Sequence, residues 1–210
     1  MILTAEQKDI LTELINIGVG RASGMLNEML QSHVDLQVPY IRVVPPRAIY
    51  QELTNLNPDT DFISSVQLRF QGSFTGTASL VFPPDSAGKL VDILTGEAFG
   101  TEDLDEIRVG TLTEVGNIVI NGVMGSIANI LRERLNYSVP TYLEGTVDGL
   151  LHTNNYTDDT TILIAYTRFH VQEHKIEGNI ILFFELGSFD TLLTAVNAAL
   201  LDLKSEKPHA

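Results

Sequence analysis

A chain of 210 residues that is 44% hydrophobic and 19% charged has enough apolar surface for a full core and fits one large domain or two small ones. It contains no Cys, which excludes a disulfide framework, a thiolate nucleophile and a zinc–sulfur site. Its 13 basic and 27 acidic residues give a net charge of −14, and a surface of that sign repels nucleic-acid backbones and anionic lipids.

In chain order, residues 4–31 read as a helix: Thr4 and Gln7 make a capping box, and an apolar period of three to four follows. Leu36–Val44 turns β-like and stops at Pro45-Pro46. Residues 47–61, with Asn55, Asn57, Pro58 and Asp59, read as loop. Ile63–Phe70 and Ser73–Phe82 alternate as two strands of a hairpin around Gly72. Pro83-Pro84-Asp85 opens a helix to about Leu94. A second long helix is expected from about Leu104 to Leu135, then a strand over Ser138–Leu143 and a polar loop at 152–159. Strands at Ile162–Val171 and Ile176–Leu186 and a helix over Asp190–Leu203 complete the chain, before a polar tail at 204–210.

The two halves follow one plan because the sequence repeats itself at an offset of 101. Leu11-Thr12-Glu13 lies over Leu112-Thr113-Glu114, Asn16-Ile17 over Asn117-Ile118, and Val38-Pro39 over Val139-Pro140. In all, 9 of the 29 positions from 11 to 39 are identical without a gap. Repeats of about 1–100 and 101–203, with no Gly, Ser or Pro linker between them, imply one fused α/β unit. On a helical wheel Leu11, Leu14, Gly18, Ala22, Met25 and Met29 share one sector, and Asp9, Glu13, Asn16, Gly20, Ser23 and Asn27 lie opposite. The second helix places Leu112, Val115, Val119, Val123, Ser126 and Ile130 inside, and Glu114, Asn117, Asn121, Met124 and Ala128 outside.

Glu and Asn three residues apart stand side by side on a helix. Such a pair is an ordinary solvated face or a site. Asn is a poor helix-interior residue, about 0.6 kcal/mol worse than Ala, yet the duplication keeps it while most outward neighbours change. A neutral carboxamide is no general base near pH 7, but it can hold a water through one donor and one acceptor. In phosphoryl transfer, positioning supplies much of the catalysis. Gly18, Gly20 and Gly24 lie inside a helix without dinucleotide spacing and read as packing, with outward Gly20 leaving room for a docking partner. His170 and His174 flank a strand turn where their spacing does not converge, and Glu173 completes no zinc motif. Ser23 and Ser126 lack a neighbouring His to activate them.

The spacing Glu-x2-Asn-x22-Pro occurs twice, as Glu13, Asn16, Pro39 and as Glu114, Asn117, Pro140. With Asp9 ahead of the first copy, the pattern resembles the signature of the CheC/CheX/FliY family of chemotaxis phosphatases, and the surrounding Glu13–Ala22 is typical of CheC. The resemblance spans nearly the whole chain. It implies two long signature helices packed on one face of a β-sheet, and hydrolysis of the aspartyl phosphate of a CheY-like response regulator. Asn16 and Asn117 would orient the attacking water, and Glu13 and Glu114 would dock the regulator. Asp9, Pro39 and Pro140 would belong to the partner-binding surface, the two prolines by shaping the strand starts. The resemblance implies magnesium on the regulator and no cofactor or metal on this chain, with the deamidase CheD as a second partner. A flagellar-switch or adaptor protein that docks a regulator without hydrolysis is the other function the same signature fits. The second copy has Gly110 where the first has Asp9, which sets the first site ahead. No run nears the roughly 18 apolar residues of a membrane span and residues 1–6 lack signal-peptide features, so a cytoplasmic protein without membrane insertion is expected.

Overall fold

The capping box at Thr4 forms as its residue types require. The Gln7 amide N–H donates to Thr4 Oγ1 at 3.2 Å, and the Thr4 N–H donates to Gln7 Oε1 at 2.9 Å, so two otherwise orphaned donors are satisfied at the start of α1 (Ala5–Leu30). The computed structural model describes residues 3–30, 33–54, 61–95, 104–149, 160–171 and 174–205. After α1 come β1 (Val34–Val44), α2 (Pro46–Thr54), β2 (Phe62–Gly72), β3 (Gly76–Phe82) and α3 (Pro84–Thr95). The later half holds α4 (Leu104–Ile130), β4 (Leu135–Tyr137), β5 (Thr141–Thr146), β6 (Thr161–Val171), β7 (His174–Phe184) and α5 (Ser188–Ser205). The polar loop expected at 152–159 lies outside the described residues.

Three expectations are corrected. Residues 46–54 are a helix, not loop: Pro46 takes the first helical position, where its missing N–H costs nothing, and Ile49 and Leu53, four residues apart, bury against the sheet. The second long helix ends at Ile130, five residues early. There the Glu133 N–H donates to the Ala128 carbonyl at 2.8 Å and the Arg132 N–H to that of Asn129 at 3.2 Å. With Arg132 at φ 57°, this is a Schellman stop, with Arg where Gly is usual. The strand expected over 138–143 begins only at Thr141, because Ser138, Val139 and Pro140 interrupt the chain between β4 and β5. Ser138 instead caps Arg69 of β2, donating its N–H to the Arg69 carbonyl and accepting the Arg69 N–H at Oγ, both at 2.9 Å.

The seven strands form one antiparallel sheet in the order β1-β6-β7-β3-β2-β4, with β5 also on β2. Matching β1 with β5, β2 with β6 and β3 with β7 maps the order β1-β6-β7-β3-β2-β5 onto its own reverse. The first strand of each half pairs with the second strand of the other. The helices α1, α3, α4 and α5 share one core on one face of this sheet, where Leu11, Ile15, Val115 and Val119 meet Phe70, Leu80 and Phe184 among others. The other face carries a smaller cluster in which Ile49 and Leu53 of α2 join Val44, Ile162 and Phe183. Two glycines set the spacing of α4. A Cβ on Gly18 would stand 2.4 Å from Val123 Cα, and one on Gly116 would stand 2.4 Å from Val66 Cβ, so no side chain fits at either contact. Among the described residues no helix is long and apolar enough to cross a membrane.

Candidate functional site

The polar line along α1 has a job that the wheel did not show. β1 is an edge strand, so the groups on its free side need partners. The ladder to β6 also slips between Gln37 and Tyr40, which leaves Val38 and Pro39 unpaired. Asn16 fills that gap: its Nδ2 donates to the Val38 carbonyl at 3.0 Å and its Oδ1 accepts the Val38 N–H at 2.9 Å. Further along, Ser23 Oγ donates to the Val34 carbonyl, and Asn27 Oδ1 accepts the Val34 N–H. Three polar side chains from one helix thus clasp one edge strand. The 22-residue interval between Asn16 and Val38 is the distance from the helix face to the irregular point of β1, and Pro39 follows because it has no N–H to satisfy. Asn16 is half-buried, Glu13 and Asp9 are exposed, and Ser23, expected outside, is buried. Met25 and Met29, expected inside, are 54% and 45% exposed. Leu11, Leu14, Gly18 and Ala22 are buried as expected, and the stripe widens through Ile15, Val19, Ser23 and Leu26 because α1 is flanked by β1 on one side and α4 on the other.

The second copy is built differently. β4 ends at Tyr137 and β5 begins at Thr141, so no continuous edge lies at the position equivalent to β1, and Val139 is 82% exposed. Met124 and Ala128, the counterparts of Ser23 and Asn27, are buried rather than outward, since α4 packs against α1, α3 and the sheet at once. Released from a strand, Asn117 pairs with the next turn of its own helix: Asn121 Nδ2 donates to Asn117 Oδ1 at 2.6 Å. No described residue takes the Asn117 Nδ2. Glu114 is exposed one turn earlier, Asn117 and Asn121 are half-buried, and Pro140 is half-buried in the strand break. Gly110, in the place of Asp9, is exposed with open space around it.

Gly20, the counterpart of Asn121, is exposed, and a Cβ there would meet nothing within 4 Å. Sequence reasoning placed Asn121 outward without assigning it a role; its signal was the four-residue interval to Asn117, which puts two amides within reach on a helix. Pro39 is exposed and lines a shallow cleft of about 130 Å³ with Tyr40, Tyr166, Arg168, Glu177 and Asn179. Beside it, Tyr40 stacks on Tyr166 with centroids 4.4 Å apart. The Tyr166 hydroxyl donates to Glu52 Oε2 at 2.5 Å, and Glu52 also pairs with Arg42 at 2.8 Å. Burial holds the Tyr166 hydroxyl above its ordinary pKa, and the Glu52 carboxylate pushes it the same way. This cluster fixes α2 to β1 and β6. Among the described residues no three His, Asp or Glu side chains converge on a metal site; Glu173 lies outside them.

No protein-family model matches the chain. Against curated proteins, it is 26% identical over 204 residues to the CheY-P phosphatase CheC of Bacillus subtilis (strain 168), covering 93% of this chain and 96% of that one. The likeness to CheC runs over nearly the full length of both chains. Solved structures share its fold: Thermotoga maritima FliY superposes with a TM-score of 0.75 at 18% identity, over 95% of this chain and 100% of that one. The CheX-CheY-BeF3-Mg2+ complex from Borrelia burgdorferi contains a chain that matches with a TM-score of 0.52 at 19% identity, over 83% of this chain and 99% of that one. The shared fold agrees with the two signature helices lying side by side on one sheet face.

Proposed function

We propose that this protein hydrolyses the aspartyl phosphate of a CheY-like response regulator, and that the second signature helix does the chemistry. The observation that carries this reading is the state of the two asparagines. Asn117 stands one turn from exposed Glu114 with both Nδ2 N–H donors uncommitted, whereas Asn16 commits one N–H and one oxygen lone pair to the Val38 backbone. The full-length likeness to a CheY-P phosphatase supports the substrate class.

In this reading Glu114 docks a cation of the regulator, and the Asn117 amide enters the phosphorylated site. There its oxygen accepts a hydrogen bond from water through its second lone pair, while Nδ2 donates to a neighbouring acceptor. The water oxygen is thereby aimed at phosphorus. An oxygen–phosphorus bond forms, the bond from phosphorus to the aspartyl oxygen breaks, and the water's proton passes to phosphate. The carboxylate leaves unprotonated, so Asn need not act as an acid or base; its contribution is positioning. Any magnesium belongs to the regulator.

The clasped Asn16 supports a different role for the first copy, docking without hydrolysis, through exposed Glu13 and Asp9. Steady-state phosphate release from a regulator charged by a small acyl phosphate tests both roles. The expected result is acceleration that depends on Asn117 and binding to which Glu13 contributes. No acceleration by the intact chain would overturn the hydrolytic reading and leave the docking one.

A further inference from the structure

We propose that Asn121 is a positioning residue for the second site: by donating from Nδ2 to Asn117 Oδ1 at 2.6 Å, it fixes which way the catalytic amide faces. This inference rests on the hydrolytic reading above. The terminal torsion of an Asn side chain is broad and nearly two-fold. An unrestrained Asn117 would therefore exchange its oxygen and nitrogen positions, and half of its orientations would present the wrong group to water. A donor one helical turn away removes that freedom. It occupies one lone pair of Oδ1, leaves the second for water, and keeps Nδ2 as a donor.

The first copy shows what happens without such a partner. Gly20 stands at the equivalent position, where a side chain would fit, and Asn16 is held instead by the Val38 N–H and carbonyl together. That arrangement fixes the amide and commits one of its two N–H donors as well as one oxygen lone pair. Each copy therefore restrains its asparagine, and the Asn121 restraint is the one that leaves both N–H donors for substrate. The cost of holding two asparagines one turn apart in a helix, where Ala would be better, is accounted for by this pairing.

The test is phosphate release from the same charged regulator, measured across regulator concentrations for Asn121→Ala and Asn121→Asp, each alone and combined with Asn117→Ala. Asn121→Ala is expected to lower kcat about 5- to 30-fold, the range for one lost positioning hydrogen bond, with the half-saturating regulator concentration unchanged. Asn121→Asp is expected to be at least as impaired, because a carboxylate can only accept, and it would draw Nδ2 inward. In the Asn117→Ala background neither change should lower kcat further, since there is no amide left to orient. Circular dichroism melts should show Asn121→Ala as stable as the parent chain or slightly more so. Parental kcat in Asn121→Ala or Asn121→Asp, an effect confined to half-saturation, or an undiminished effect in the Asn117→Ala background would each overturn the assignment. An intact chain that releases no phosphate would overturn the hydrolytic reading and this inference together; an active chain indifferent to Asn121 overturns this inference alone.

Discussion

The two signature helices carry the same Glu and Asn, and they use the Asn for different ends. In α1, Asn16 belongs to a row with Ser23 and Asn27 that closes the free edge of β1. In α4's half the corresponding strand is broken at Ser138–Pro140, so the edge there is not continuous, and the counterparts of Ser23 and Asn27 are buried Met124 and Ala128. An identical residue in two copies thus reflects two different demands. An unbroken edge strand demands partners for its backbone, and meeting that demand ties the amide to the strand and leaves it one N–H fewer for a substrate.

The sharpest way to break this comparison is to remove each asparagine alone. Asn117→Ala should cut phosphate release on the order of 100-fold, the scale of losing a preorganised contact to the reacting groups. Asn16→Ala should change turnover little. It should instead lower stability by about 1–3 kcal/mol, because the Val38 N–H and carbonyl lose their partners, and melting would register this as a fall of several degrees. The opposite order of activities, which Asp9 suggests from sequence alone, would return the chemistry to the first helix.

A packing contrast comes next. Gly18→Ala forces a Cβ to 2.4 Å from Val123 Cα, so α1 and α4 must separate; a loss of about 1–3 kcal/mol is expected from thermal or urea melts. Gly20→Ala, two residues on and in open space, should instead stabilise the chain by roughly 0.5–1 kcal/mol. Equal effects at the two glycines would contradict the close helix–helix contact. Exchanging Glu114 or Glu13 for Gln should raise the regulator concentration needed for half-maximal binding about 2- to 5-fold each, as for an exposed ion pair, with binding read by titration of labelled regulator. If Glu13→Gln has no effect, the first copy is not a docking site. The smallest change is Arg132→Gly, which should add up to about 1 kcal/mol by relieving a side chain at φ 57°.

Local signals were readable where they rest on short-range chemistry. The capping box at Thr4, the β2–β3 hairpin, the Pro84 helix start and the β6–β7 pair all appear as their residue types and alternation suggest. The misses arise from tertiary demands. Helix α2 went unread because its apolar residues, Ile49 and Leu53, are few, and only the uncovered second face of the sheet gives them a purpose. Met25 and Met29 satisfied the helical period but lie exposed on the last turns of α1. Ser23 and Asn27 read as solvent-facing because nothing in a linear pattern says that a strand edge will lie beside them. At the site, the Glu and Asn positions were visible from the repeat. The commitment of Asn16 and the freedom of Asn117 were not, since both depend on a break in one strand and a slip in another.

The crossed pairing of the strands also dictates an order of events during synthesis. Among the described residues β1 finds its ladder partner in β6 alone, where Val34 opposes Val171, so most of the chain must leave the ribosome before β1 can join the sheet. Such distant pairing slows folding and leaves a sticky strand waiting in the nascent chain. The bonds from Asn16, Ser23 and Asn27 to β1 span at most 22 residues, so they can form while β6 is still untranslated. The side chains that close this edge in the finished protein are placed to shield it from other chains while the partner strand is being made.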